Sequence, residues 1–225
     1  LASPITVLGD YDRAVGLLDS AYAEKSGRLG PDHAEAIVTL ARSTRPLVES
    51  GQIDLAESRL WSLYDRTSAE GIYRIEVLDL MGQARRRAGD PDSATVLLRE
   101  SVEMGEARLR DNHRILNEAR RNLAAVLIER GETAEATEIL ATVLEVELAT
   151  RPSPHYRIGA TYVLLAKIEL ARGADAEGER LLQAALAEFR ELPRDHWRVQ
   201  EVRRLLESVD RAVSPSGDGG RLLLP

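Results

Sequence analysis

Apolar positions follow a helical spacing along most of the chain. In five segments a leucine stands four residues after a small residue, a spacing that places both side chains on one face of a helix. The leucines are Leu18, Leu60, Leu98, Leu140 and Leu182, and the small residues are Ala14, Ala56, Ala94, Ala136 and Gly178. The small residue allows a neighbouring helix to approach closely, and the leucine fills the space between helices. Long alternating runs of β-branched residues are missing from the sequence. We therefore predict an all-α chain.

A glycine precedes each small residue by five positions and marks the end of the preceding helix. These glycines are Gly9, Gly51, Gly89, Gly131 and Gly173, at intervals of 42, 38, 42 and 42 residues. A helix often ends at a residue with positive φ, which glycine adopts without steric cost. A polar residue after the glycine can cap the next helix. We therefore predict helical hairpins that turn at these glycines, and a repeat of this period is typical of stacked helical arrays.

The repeats resemble a known family in three places. The Gly9–Ala14 turn, GDYDRA, is similar to the turn between the two helices of the tetratricopeptide repeat (TPR), and Gly82 occupies the small-residue position of that family's first helix. The 42-residue period, the Gly30–His33 loop and the Arg121–Ala124 segment resemble the kinesin-light-chain variety. The resemblance covers about residues 5–207. It implies a right-handed superhelical solenoid of about five hairpins plus a C-terminal capping helix.

The expected domain organisation is a single repeat domain followed by a tail. The repeat domain runs over residues 1–213, with its capping helix at about 197–213. Residues 214–225 form a flexible tail, because Ser214–Gly220 has the composition of a linker. Only eight residues precede Gly9, too few for a full first helix, and no initiating methionine is present. We expect the sequence to be a piece of a larger protein.

Composition narrows the classes of function. A formal net charge of −7 argues against general nucleic-acid binding, which requires a cationic field. No run approaches the roughly 18 apolar residues that span a bilayer, so we expect no membrane insertion. The chain has no cysteine, which excludes disulfides, thiolate metal sites and a cysteine nucleophile and suits the cytoplasm. Only two of the 30 basic residues are lysines, an arginine preference that fits either a GC-rich bacterial genome or a solvated arginine surface.

The four histidines are the first candidates for chemistry. His33, His113, His155 and His196 each fall in the loop between one hairpin and the next. Neighbouring hairpins would hold them roughly 15–20 Å apart, too far to share one metal ion. We expect each histidine to cap or pack the start of a helix, and we expect no metal and no cofactor. Nucleotide-binding loops and recognisable catalytic residues are also missing, so we expect the chain not to be an enzyme.

The TPR resemblance supplies a set of candidate binding residues. In that family the first helices of successive hairpins line a concave groove. The equivalent positions here include Gln83 and the candidate binding residues Arg42, Arg45, Arg86, Arg87, Arg121, Asn122 and Lys167. Asn122 matches an asparagine that related repeats use to hydrogen-bond a peptide backbone, and guanidinium groups pair well with carboxylates. Acids at neighbouring positions could neutralise the bases; they are Glu49, Glu76, Asp79, Glu118 and Glu129. We expect an acidic or mixed-charge peptide as the partner.

Three functions remain open at this point. The first is a scaffold that binds a protein or peptide segment in the concave groove. The second is a regulatory arm of a multidomain bacterial Ser/Thr kinase, signalling ATPase or transcription regulator, which rests on family analogy alone. The third is a structural homo-oligomer that assembles through the edge of the array.

Overall fold

Residues 10–68 and 71–213, which a computed structural model describes, form ten α-helices and include no strand. The prediction of an all-α chain is confirmed. The helices are α1 (Tyr11–Leu29), α2 (Ala34–Glu49), α3 (Ile53–Arg66), α4 (Ile72–Arg87), α5 (Pro91–Arg108), α6 (Arg114–Glu129), α7 (Thr133–Thr150), α8 (Tyr156–Ala171), α9 (Asp175–Glu188) and α10 (Trp197–Val213).

Tight turns join these helices into four hairpins, α2–α3, α4–α5, α6–α7 and α8–α9. The turn glycines Gly51, Gly89, Gly131 and Gly173 have φ between +76° and +81°, the left-handed conformation that the sequence predicts for them. The N–H of the residue after each glycine donates to a carbonyl five residues back, at 2.8–3.0 Å. This bond closes the first helix of the hairpin at its C-terminus. Gly9 lies outside the described residues.

The chain divides into two compact units, Leu1–Thr150 and Arg151–Pro225. In the first unit, the first helix of each hairpin packs against the next, α2 against α4 and α4 against α6. The predicted pairs of alanine and leucine are fully buried at Ala56 and Leu60 and at the equivalent positions of α5 and α7. Gly82 is required by close packing, because a Cβ there would lie 2.5 Å from Cγ of Leu98.

The second unit contains α8, α9 and α10 within its described residues. Helix α9 packs against both α8 and α10. Phe189 is 2% exposed and fills the space beside Gly159, where a Cβ would lie 2.4 Å from Cε1 of the ring. Helix α10 begins at Trp197, and Val199 and Val202 are among its buried residues. The tail expected at 214–225 lies outside the described residues.

Histidine side chains cap the starts of α2, α6, α8 and α10, as the sequence predicts. Nδ1 of each histidine accepts a hydrogen bond of 3.2–3.3 Å from the backbone N–H two residues later, at His33, His113, His155 and His196. The link between α3 and α4, which closes the short 38-residue interval, has Gly71 at this position and no side-chain cap. There the Arg74 guanidinium donates instead to the backbone carbonyl of Thr67, at 2.7 Å. Each of the four histidines therefore caps the start of a helix.

Candidate functional site

Charged side chains of α2, α4 and α6 meet on one surface of the first unit. Arg45 of α2 binds Glu118 of α6 at 2.8 Å, and Arg87 of α4 binds Glu49 of α2 at 3.2 Å. The guanidinium of Arg86 on α4 donates to both carboxylate oxygens of Glu129 on α6. We call this surface the first-helix face, and its polar residues are Arg42, Arg45, Glu49, Glu76, Asp79, Arg86, Arg87, Arg114, Glu118, Asn122 and Glu129.

A small cavity of about 20 Å³ lies on the first-helix face. Its lining residues come from all three helices and are Arg45, Glu76, Asp79, Leu80, Arg114, Ile115 and Glu118. Arg114 binds Glu118 at 3.1 Å and lies 4.0 Å from Glu76. Three carboxyl groups thus surround a space no larger than a water molecule, with two guanidinium groups between them.

Two of these carboxyl groups have opposite pKa shifts. Burial of Asp79, which is 4% exposed, raises its pKa to about 7, and the negative charges of Glu118 and Glu76 add to the shift. The hydrogen bond from Asn122 and the charge of Arg45 oppose it. Burial alone would raise the pKa of Glu118 as well, but Arg45, Arg121 and Arg114 hold it at about 2. Glu118 is therefore ionised near neutral pH, whereas Asp79 is only partly ionised.

Amide side chains hold the Asp79 carboxyl in place. Nε2 of Gln83 donates to Oδ2 at 2.8 Å, and Nδ2 of Asn122 donates to Oδ1 at 2.8 Å. The bond from Asn122 joins α6 to α4. It also leaves Oδ1 of Asn122 without a hydrogen bond to any residue that the structure describes. Asn122 can therefore still accept one hydrogen bond from outside.

The structure joins α2, α4 and α6 through four of the seven residues that the sequence singles out, namely Arg45, Arg86, Arg87 and Asn122. Arg42 is exposed and stands three residues before Arg45, on the same side of α2. Its guanidinium makes no ion pair with any residue in 10–68 or 71–213.

The remaining two candidates lie elsewhere. Arg121 is 6% exposed and binds Glu147 of α7, which is fully buried, at 2.7 Å. Its side chain therefore joins the two helices of one hairpin, although its charge also lowers the pKa of Glu118 on the first-helix face. Lys167 belongs to the second unit, where Nζ binds Glu201 of α10 at 2.7 Å. Neither residue is included among the ligand-binding residues proposed for the first-helix face.

Sequence reasoning missed one contributor to the site. Arg114 completes the cluster around Asp79 and Glu118. The signal for Arg114 is its spacing of four residues from Glu118, which pairs opposite charges on one helix. Gln83, which the resemblance places among the groove positions, stands four residues after Asp79 and donates to its carboxyl group.

In the part of the chain that the structure describes, no three histidine, aspartate or glutamate side chains are placed to hold a metal ion. None of the described helices is both long and apolar enough to cross a membrane. An open pocket of about 360 Å³ lies between the α5–α6 loop and the end of α7, lined by Arg110, Asp111, Asn112, Glu145, Val146, Ala149 and Thr150.

Comparison with known proteins identifies the fold. No protein-family model matches the chain, and no curated protein matches its sequence. One similar structure is that of a variant of a kinesin-light-chain-like protein from Podosopora anserina, which has nearly identical TPR-like repeats. Its sequence is 24% identical to this chain. The match covers 85% of this chain and 92% of that one, with a TM-score of 0.62. The crystal structure of BtubC (BKLC) from P. vanneervenii is 12% identical over 96% of each chain, with a TM-score of 0.68. The chain therefore has the TPR-like helical-repeat fold that its turns and period predict.

Proposed function

We propose that this chain is a protein-interaction scaffold that binds a peptide or protein segment along the first-helix face. The observation that carries the proposal is that three successive first helices present charged and amide side chains to one another on a single surface. TPR-like repeats generally serve as protein-binding scaffolds, and that general role applies to this fold. We infer no catalytic step for this surface and place the chain in the cytoplasm.

The pairing of the charges indicates which ligand fits. The side chains of Arg86 and Glu129 are 36% and 47% exposed, and those of Arg87 and Glu49 are 56% and 44% exposed. Ion pairs this open to solvent contribute about 0–1 kcal/mol, so a ligand charge can replace either partner at little cost. When a ligand carboxylate pairs with Arg86 or Arg87, the glutamate that the arginine had bound is left without a partner. A ligand with charges of both signs therefore fits this face better than a purely acidic one.

Two positions are available to a ligand without any exchange. The exposed guanidinium of Arg42 can donate to a ligand carboxylate. Oδ1 of Asn122 can accept a backbone N–H, and the bond from its Nδ2 to Asp79 keeps the amide in that orientation. A peptide in extended conformation offers both groups, because its side chains and its backbone are equally accessible.

The test begins with peptides selected from a random display library on the immobilised full chain. Calorimetric titration then compares the wild type with Arg42→Ala and Asn122→Ala. We expect each change to weaken binding by about tenfold, the effect of losing one hydrogen bond that involves a charged or buried partner. Arg108→Ala, at an exposed arginine on the second helix α5, is the matched control and should bind as the wild type does. Equal binding by all four proteins would exclude the first-helix face.

A further inference from the structure

An exposed tryptophan on α3 has no counterpart in the other repeats. Trp61 directly follows Leu60, the buried leucine of the repeat. The residues at the equivalent position of α1, α5, α7 and α9 are polar or small; they are Asp19, Arg99, Ala141 and Gln183. Trp61 is 47% exposed, although its ring is large enough to contribute substantially to a core. The repeat therefore does not require an aromatic ring here, and Trp61 needs another explanation.

Neighbouring side chains hold the indole ring of Trp61 in place. Tyr64 packs against it edge to face, with the ring centres 5.6 Å apart. The guanidinium carbon of Arg74 lies 3.6 Å from the centre of the Tyr64 ring, and the same guanidinium donates to the backbone carbonyl of Thr67. Tyr64 is therefore fixed on one side by Arg74 and supports Trp61 on another. A ring that is ordered in advance loses less entropy when a ligand binds.

Two exposed aspartates stand on the same side of α3 as Trp61. Asp54 precedes Trp61 by seven residues and Asp65 follows it by four, and these spacings place the three side chains along one line on the helix surface. The helical rise puts Asp65 about 6 Å and Asp54 about 10 Å along the axis from Trp61. We call Asp54, Trp61 and Asp65 the tryptophan–aspartate ridge.

The carboxylates of the ridge are available to a ligand. Neither makes an ion pair or a hydrogen bond with any side chain in 10–68 or 71–213. The equivalents of Asp54 in two neighbouring repeats are bound within the array, since Asp12 accepts from Gln52 and Asp92 pairs with Arg130. One repeat before Arg130 the chain has an alanine, so Asp54 lacks the corresponding base.

The other charges of α3 are paired within the fold. All three form ion pairs of 2.6–3.0 Å, and the pairs are Arg59 with Asp19, Arg66 with Asp32 and Glu57 with Arg85. The charges that remain unpaired on α3 are therefore both negative, in a chain whose formal net charge is −7. A basic partner is complementary to this surface, and the negative charge of the chain attracts it from a distance.

A tryptophan beside an aspartate suits a guanidinium group. Indole attracts a cation more strongly than the other aromatic side chains, and a guanidinium stacked on a ring can still donate to a carboxylate. Trp61 and Asp65 are one helical turn apart, a spacing that separates Cβ atoms by about 5–6 Å. The indole N–H of Trp61 donates to none of the residues that the structure describes, so it can also donate to a carbonyl of the ligand.

We propose that the tryptophan–aspartate ridge is a docking surface for a basic protein segment. An arginine of the segment stacks on Trp61 and pairs with Asp65, and a second basic residue pairs with Asp54. The negative charge of the ridge disfavours a nucleic acid, whose binding requires a cationic field. The ridge lies on the second helix of a hairpin, and the proposal does not depend on the function assigned to the first-helix face.

Trp61 is its own probe for the test, because the only other tryptophan of the chain is Trp197. In the full chain with Trp197→Phe, all tryptophan emission comes from the ridge. This protein is titrated with synthetic peptides that carry two or three arginines among alanines and serines, and with counterparts that carry glutamine in place of arginine. We expect the arginine peptides to change the Trp61 emission to saturation, the glutamine peptides to leave it unchanged, and added salt to weaken binding.

Three variants locate the binding, measured by the anisotropy of a labelled arginine peptide. Trp61→Leu keeps an apolar side chain but removes the aromatic ring, and it should weaken binding by about fivefold or more. Asp65→Asn should weaken it by about two- to fivefold. Glu103→Gln is the matched control, because Glu103 is the exposed acid of α5 at the position equivalent to Asp65, and Arg99 precedes it by four residues in place of a tryptophan. Circular dichroism and thermal unfolding establish that each variant keeps the fold.

Several results would overturn the proposal. Glutamine peptides that bind as tightly as arginine peptides would remove the role of charge, and full binding by Trp61→Leu would remove the role of the ring. A loss in Glu103→Gln equal to that in Asp65→Asn would mean that the peptide binds any acidic surface. Self-association in sedimentation experiments that Trp61→Leu abolishes would make the occupant a second copy of this chain. Arg42→Ala should bind as the wild type does, and a loss there would assign the peptide to the first-helix face.

Discussion

The interior between α6 and α7 and the first-helix face use the same kind of ion pair for different purposes. Arg121 and Glu147 form a pair in the interior that is 6% and 0% exposed, with 2.7 Å between the charged atoms. Arg86 and Glu129 form a pair on the face with more than a third of each side chain exposed. Both arginines stand on first helices and both were predicted binding residues. Access to solvent, rather than residue type, distinguishes a pair that joins helices from one that a ligand can exchange.

Breaking the interior pair should have the largest effect. Glu147→Ala leaves the guanidinium of Arg121 buried without its carboxylate, and we expect a loss of about 3–5 kcal/mol in the free energy of unfolding. Urea denaturation of the full chain measures this loss. Glu145→Ala, at an exposed glutamate on the same helix, should change stability by less than about 0.5 kcal/mol. Similar losses in both variants would mean that the pair is not the source of the effect.

Asp79 sharpens the comparison because its carboxyl group is buried although it belongs to the first-helix face. Its pKa is raised to about 7 in the folded protein. The neutral carboxyl group therefore stabilises the folded state fully at a pH below the pKa of the unfolded chain. This stability is lost as the pH rises toward 7. Asp79→Asn has no such loss. We expect its stability relative to the wild type to increase by about 2–3 kcal/mol between pH 5 and pH 8.

The measurement for Asp79→Asn is denaturation at several pH values. Asp65→Asn, at an exposed aspartate of α3, serves as the control and should show no such trend. A relative stability of Asp79→Asn that stays constant from about pH 5 to pH 8 would contradict a raised pKa in the folded state.

The cap at His113 should stabilise α6, the helix that contributes both to the interior ion pair and to the first-helix face. His113→Ala removes the acceptor for the N–H of Ile115, and we expect a loss of about 1 kcal/mol. His113→Asn supplies another good capping side chain and should retain most of the stability. Thermal unfolding of the two variants makes the comparison. Equal losses would assign the effect of His113 to packing instead of capping.

Removing the exposed pair should have the smallest effect on stability. Arg86→Ala deletes the bonds to Glu129, and we expect the free energy of unfolding to fall by at most about 1 kcal/mol. The same variant should weaken the binding of a peptide selected on the first-helix face. A loss of stability as large as that of Glu147→Ala would place Arg86 among the residues that hold the helices together.

The sequence predicts the hairpins well because their turns depend on local chemistry. Only glycine lacks a Cβ, so its recurrence reports the positive φ that is observed at Gly51, Gly89, Gly131 and Gly173. The capping role of the histidines is equally local, since each Nδ1 bonds to an N–H only two residues away. The extent of the repeat domain and the tail at 214–225 stay predictions.

The binding surface is less predictable because it depends on how helices face one another. Arg121 and Asn122 are adjacent in sequence, and successive residues on an α-helix are rotated by roughly 100°. They cannot point in the same direction, and the structure aims Asn122 at α4 and Arg121 at α7. The pair of Arg45 and Glu118 joins residues 73 positions apart, a contact that the twist between helices decides. The spacing of residues along one helix does not predict such a contact between helices.

Photo-crosslinking tests the central claim most directly. A benzophenone amino acid replaces Arg42 on the first-helix face or, as the control, Arg108 on α5, and each full chain is irradiated with a peptide selected from the display library. We predict that the peptide becomes crosslinked at position 42 and not at position 108, and that an excess of unlabelled peptide prevents the reaction. Crosslinking at position 108 with none at position 42 would contradict binding along the first-helix face.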